Sequence, residues 1–237
     1  MISNSHHPRA DTLAHGAPAP ESPDDTLSSQ LKHATSELHT RVERHPAQAG
    51  MMRGGTTLGA YGAYLSQMLR VQVALDAACA RAAGLSEGFA SVWKDYHPRA
   101  HRARADLASL ALREEPPLPA TIRMAAWIEG LLGASGAEGA ESTGVASLLG
   151  VLYVLEGSTN GGPYIAAALR KSLGLSAASG TDYLSPHGTH QRERWGAFKR
   201  NLDALRLAPT DRDAAIEAAR RTFLSIEAIF DDLAKRA

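Results

Sequence analysis

Cysteine is almost absent: the 237-residue chain carries only Cys79. One thiol excludes an intramolecular disulfide and a structural zinc site built on cysteines. In its helical context Cys79 reads as a small buried hydrophobe, with a haem thiolate ligand as the sharper reading. Net charge is missing as well, since 25 Lys and Arg balance 25 Asp and Glu. No overall charge therefore draws the chain to nucleic acid or to an anionic membrane, and neither is expected as a partner. No uninterrupted apolar run reaches the ~18 residues of a membrane-spanning helix. The opening MISNSHHPRADTLAHG lacks the apolar stretch of a signal peptide, so a cytoplasmic location is the expectation. Alternating β patterns and internal repeats are absent too. There is no Rossmann fingerprint and no CxxC pair, so no internal flavin, nicotinamide or redox dithiol is expected. None of the ten histidines has an acid three residues before it, which argues against a di-iron carboxylate centre with its Glu-x-x-His pairs.

What is present is helical periodicity over an apolar fraction of 44%. Residues 1–26 form a tail, with Pro8, Pro18, Pro20, Pro23 and Gly16 and no core-forming period; His6, His7 and His15 are incidental to it. From Leu31 the apolar positions recur with helical spacing through Leu38 and Val42, behind possible caps at Thr26, Ser28 and Ser29, up to a stop at Pro46. Further helices are expected over about 58–80, 99–112, 121–132, 190–205 and 210–234, with 145–171 as a long apolar segment. Thr56 or Thr57 caps the first of these, and Pro209 stands near the start of the last. The fold class is all-α: a single-domain helical bundle over residues 27–237 behind a flexible tail.

Two features carry chemistry. The first is VLYVLEGSTNGGPY, residues 151–164, where Gly157, Gly161 and Gly162 interrupt an apolar helix ahead of Pro163. Glycine in a helix costs roughly 1 kcal/mol against alanine. Either the helix ends and packs closely there, or the backbone lies against a flat ligand. Gly157 and Gly161 are four apart and share a helix face. The second feature is LKHATSELHTRVE, residues 31–43, in which His39 lies two turns after Lys32. A helical histidine near a core face is a candidate haem ligand, and His33 and His45 compete with it.

Together these segments resemble the haem oxygenase family. LKHATSELHT is similar to the family's proximal signature, with Lys32 at the propionate-binding lysine and His39 at the iron ligand. LYVLEGSTNGG resembles the distal helix of bacterial members, including those encoded beside bacteriophytochromes; Gly157 and Gly161 match the paired glycines that approach haem. LRLAPTDRDAAIEAARRTF, residues 205–223, continues the likeness, with Phe223 at an aromatic position near the pocket. Lys199 falls on a basic position that pairs with a propionate. The resemblance spans about residues 27–235. Three positions depart from it. Ser158 stands where animal members carry an aspartate, Trp195 where a second basic residue is common, with Arg194 beside it, and Asn160 where serine or leucine is common.

The resemblance implies haem b as both substrate and cofactor, with His39 on iron and Glu43, one turn on, as an acceptor that fixes the imidazole tautomer. It implies biliverdin, ferrous iron and carbon monoxide as products. Ser158, Asn160 and bound water are the candidates for proton delivery. Electrons would come from a separate donor: a ferredoxin, a reductase or a small reductant. A bilin-accepting phytochrome is a candidate recipient of the product. Lys32 and Lys199 would set ring rotation through charge-assisted contacts. Three other readings stay open: a haem carrier, store or sensor on the same scaffold; a non-haem helical enzyme; and a partner-binding helical protein with no haem.

Overall fold

The computed structural model describes residues 26–133, 140–176 and 180–236. The expected tail, apart from Thr26, lies outside these residues.

Ten α-helices are present among the described residues: α1 (Leu27–Arg44), α2 (Pro46–Arg53), α3 (Leu58–Leu85), α4 (Glu87–Val92), α5 (Ala100–Ser109), α6 (Pro119–Gly130), α7 (Ala140–Gly157), α8 (Gly162–Leu173), α9 (Gln191–Asp203) and α10 (Pro209–Ala234). Local chemistry sets most boundaries. Thr26 caps α1 by accepting from Ser29 N–H at 3.3 Å, and Thr57 caps α3 by accepting from Ala60 N–H at 3.1 Å. Proline occupies the first turn of α2, α6, α8 and α10, where a missing N–H costs nothing. Asp76 of α3 substitutes for a missing local cap on α5, its Oδ2 accepting from the amides of Arg99 (3.0 Å) and Ala100 (2.9 Å).

Two short helices escape the sequence pattern. Pro46 ends α1 and also begins α2; His45 serves both, its Nδ1 accepting from Ala47 N–H at 3.2 Å. α4 spans only six residues, too few to display a period. The long apolar segment at 145–171 is not one helix. It divides into α7, a 3₁₀ turn over Ser158–Asn160, and α8.

α3 and α7 supply the centre of the core. Tyr61, Leu65, Leu69, Leu75 and Cys79 of α3 are buried, as are Leu148, Leu149, Val151 and Leu155 of α7. α7 lies along α10 in the most extensive helix contact, and α10 also carries α1. α9 touches α1, α7 and the 3₁₀ turn. α1 and the end of α7 thus share the neighbours α9 and α10. No helix among the described residues is long and apolar enough to cross a membrane.

Candidate functional site

His39 projects from α1 with its side chain 57% exposed. Its Nδ1 stands 3.5 Å from Glu43 Oε2 across one helical turn. The ring meets Phe223 of α10 edge-on, with centroids 5.8 Å apart. An acceptor beside Nδ1 favours the tautomer that leaves the lone pair on Nε2, the arrangement that a metal needs, and Glu43 is the carboxylate nearest to that nitrogen. The rival histidines differ. His45 has both nitrogens engaged, Nδ1 by Ala47 N–H and Nε2 by Asp231 Oδ1 at 3.2 Å, and it stacks on Phe230. It is a helix-junction residue. His33 is exposed on α1 and lies about 120° around the helix from His39. Lys32 is exposed on α1. Lys199, on α9, holds its Nζ 5.7 Å from the Trp195 ring centroid.

The α7–α8 break carries the glycines. Gly157 closes α7 and Gly161 precedes α8; both adopt ordinary right-handed backbone angles (φ −56° and −84°) that any residue can take. Packing does not demand glycine at either. A β-carbon at Gly157 would meet only Trp195, at 3.5 Å, and one at Gly161 only the Ser158 carbonyl oxygen, at 3.9 Å. Gly162 behaves oppositely, because a β-carbon there would overlap the Leu184 carbonyl.

The side chains of the turn face back onto its own backbone. Ser158 Oγ donates to Leu155 O (2.6 Å), Thr159 Oγ1 to Glu156 O (2.6 Å) and Asn160 Nδ2 to Gly157 O (2.9 Å). Each meets a carbonyl orphaned by the end of α7. Gln191 of α9 then ties the turn down, its Nε2 donating to Thr159 Oγ1 (2.7 Å) and to Asn160 Oδ1 (3.1 Å). Ser158 and Asn160 therefore shape the turn.

Behind the turn lies a buried polar cluster that the sequence pattern did not reveal. Glu156, in the last turn of α7, is 1% exposed, and its Oε1 is 2.6 Å from Nε2 of the fully buried His187. Arg194 Nη1 is 3.0 Å from His187 Nδ1. A guanidinium can only donate, so Nδ1 accepts, and the His187 proton sits on Nε2 and is donated to Glu156. Burial pushes the Glu156 carboxyl up, but the His187 hydrogen bond and the Arg99 guanidinium outweigh it and hold the group below its usual range. Buried Arg99 donates to Leu155 O (2.6 Å), the same carbonyl that takes Ser158. Nearby, burial lowers His97 to about 4; its Nδ1 accepts from Lys94 N–H at 2.7 Å and its Nε2 is buried without a partner. One signal was available in the sequence: Glu156 is a lone carboxylate in the apolar run VLYVLEG. Its partner, 31 residues away in a loop, had none.

No cluster of three or more His, Cys, Asp or Glu side chains suited to a metal ion occurs among the described residues. A macrocycle-held iron asks for less: one imidazole and a flat, open face. The exposed imidazole of His39 and the glycines at 157 and 161, the first beside Trp195 and the second open, fit that demand.

The all-α, single-domain bundle is of the heme oxygenase-like fold class. Residues 25–232 match the heme oxygenase family, and the chain belongs to it. It is 25% identical over 224 residues to heme oxygenase 1 of Pongo abelii, covering 91% of this chain and 74% of the relative. Among solved structures, heme oxygenase from Leptospira interrogans superposes with a TM-score of 0.75 at 20% identity, over 86% of this chain and 98% of that one. Heme oxygenase-2 from Synechocystis sp. PCC 6803, solved with heme and NO, gives 0.76 at 17% identity, over 89% and 86%. At these identities the structural matches establish the fold.

Proposed function

We propose that the protein cleaves haem oxidatively to biliverdin, ferrous iron and carbon monoxide, using O2 and electrons from an external donor such as a ferredoxin, a reductase or a small reductant. The observation that carries this reading is the pair Gly157 and Gly161, whose lack of side chains is explained by neither conformation nor packing. Bound haem would supply the iron that activates O2 and the ring that is opened. The rest falls to residues of the chain. His39 would hold the haem iron through Nε2, with Glu43 beside Nδ1 to favour that tautomer. Phe223 supports the imidazole edge. Gly157 and Gly161 let the distal backbone approach the ring and exclude bulk water. Lys32 and Lys199 would pair with the propionates of bound haem and so set which edge of the ring is presented for attack. Ser158 Oγ, whose hydroxyl donates to Leu155 O, keeps lone pairs that would accept from a water at the turn. A bilin-accepting phytochrome is the recipient we assign to the product.

A second reading, a haem carrier or sensor on the same fold, draws on one observation: the donors of Ser158 and Asn160 are already engaged by the turn. Hemin titration followed by ascorbate in air separates the two. Ring opening is read as loss of the Soret band and growth of a biliverdin spectrum. His39→Ala is expected to abolish turnover and weaken the Soret signal. A stable Soret band after confirmed reduction selects the carrier, and no saturable hemin binding removes both.

A further inference from the structure

The Arg194–His187–Glu156 chain links three parts of the molecule. Glu156 belongs to the last turn of α7, His187 to the loop before α9, and Arg194 to α9 itself. Glu156 is the immediate neighbour of Gly157, and Arg194 is the immediate neighbour of Trp195, whose indole lies against Gly157. The chain is directional, because Arg194 donates to His187 and His187 to Glu156. Arg194 also lies over Tyr96, 4.5 Å from its ring centroid, and Tyr96 meets the His187 ring edge-on. Such a buried ionic chain gives little net stability over well-packed apolar residues. Its value lies in geometry, since breaking any link leaves a buried polar group unpaired.

We propose that Glu156, acting through His187 and Arg194, is a positioning residue that clamps the end of α7 to α9 and so sets the gap between the Gly157 backbone and Trp195. This rests on the haem reading for its purpose, though the clamp itself is a property of the protein alone. Two consequences follow. The turn at 157–161 owes its rigidity to the clamp as well as to its own hydrogen bonds. The seating of hemin depends on a residue that does not touch it.

The test compares wild type, Glu156→Gln, Glu156→Leu and the double variant Glu156→Leu with His187→Leu, as full chains checked by circular dichroism. The double variant removes the unpaired imidazole, so it keeps the comparison available where Glu156→Leu alone fails to fold. Amide hydrogen exchange is measured without hemin. Exchange at 157–161 is expected to rise about tenfold in the leucine variants while α10 is unchanged, and to stay near wild type in Glu156→Gln, whose amide oxygen still accepts from His187. Hemin affinity is expected to fall about tenfold in the leucine variants, with an altered ferric spectrum. Unchanged exchange at 157–161, a uniform rise across the whole chain, or wild-type hemin affinity and spectrum overturns the proposal. Wild-type protein that binds no hemin would instead remove the haem reading, and the exchange data would then decide the clamp by themselves.

Discussion

Four glycines within thirteen residues of the α7–α8 region divide into two kinds. Gly150 and Gly162 are pressed against other backbone: a β-carbon at Gly150 would overlap the Ala215 carbonyl of α10, and one at Gly162 the Leu184 carbonyl. Gly157 and Gly161 have ordinary backbone angles and no such neighbour. The first pair is there so that helices and a loop can pack. Neither conformation nor packing requires glycine at the second pair, which closes α7 and follows the 3₁₀ turn. The same residue type, in one segment, thus serves the fold in one place and the site in another.

The comparison is broken most severely at Gly150. Gly150→Ala forces α7 away from α10 and is expected to destabilise the protein by about 3 kcal/mol or more, read by thermal or denaturant unfolding. A wild-type midpoint would show that the contact is not tight and would dissolve the distinction.

A second effect of similar size separates the buried polar cluster from the exposed face. His97 is neutral and buried, and its folded-state value of about 4 lies below the unfolded 6.5. The unfolded chain therefore binds the proton first. Stability from this group is fully present above about pH 6.5 and is lost as pH falls toward 4, to the extent of roughly 3 kcal/mol. His97→Phe should flatten that part of the stability profile, and an unchanged slope would show that other groups carry it.

The opposite sign is expected at Gly157. Gly157→Ala fits beside Trp195 and should raise the stability of the hemin-free protein by about 0.5–1 kcal/mol. Hemin affinity should fall at least about tenfold. Stabilisation with unchanged affinity would return Gly157 to the packing class.

The smallest effect belongs to the surface. Arg41 makes a two-pronged contact with Glu227 that joins α1 to α10 (3.2 and 2.5 Å). Its position is half exposed, so Arg41→Ala should cost less than about 1 kcal/mol and should leave hemin binding unaltered. A larger loss would mean that the seating of α1, and with it His39, leans on that pair.

Much of this was legible from local pattern. Thr26, Thr57 and Pro209 mark helix starts where they were expected, because a cap or a proline acts within one turn. His39, Lys32 and the distal glycines stood out through spacing along one helix. α4 did not, being too short for a period, nor did α2, whose Pro46 was read only as a stop. The glycines of the 145–171 segment left a helix end there as one of two readings, but the form of the break was not legible. Ser158, Thr159 and Asn160 satisfy three orphaned carbonyls from side chains, and this favours a 3₁₀ turn that apolar periodicity does not register.

The amino-acid order by itself determined the all-α class, most helix boundaries and a short set of candidate residues, since these depend on contacts between residues three or four apart. Tertiary structure alone decided which glycines are packed and which are open, that His45 joins two helices while His39 keeps a free nitrogen, and that Glu156 finds its partner in His187. Those outcomes depend on groups brought together from distant segments, and burial assigns their meaning only once the helices have packed.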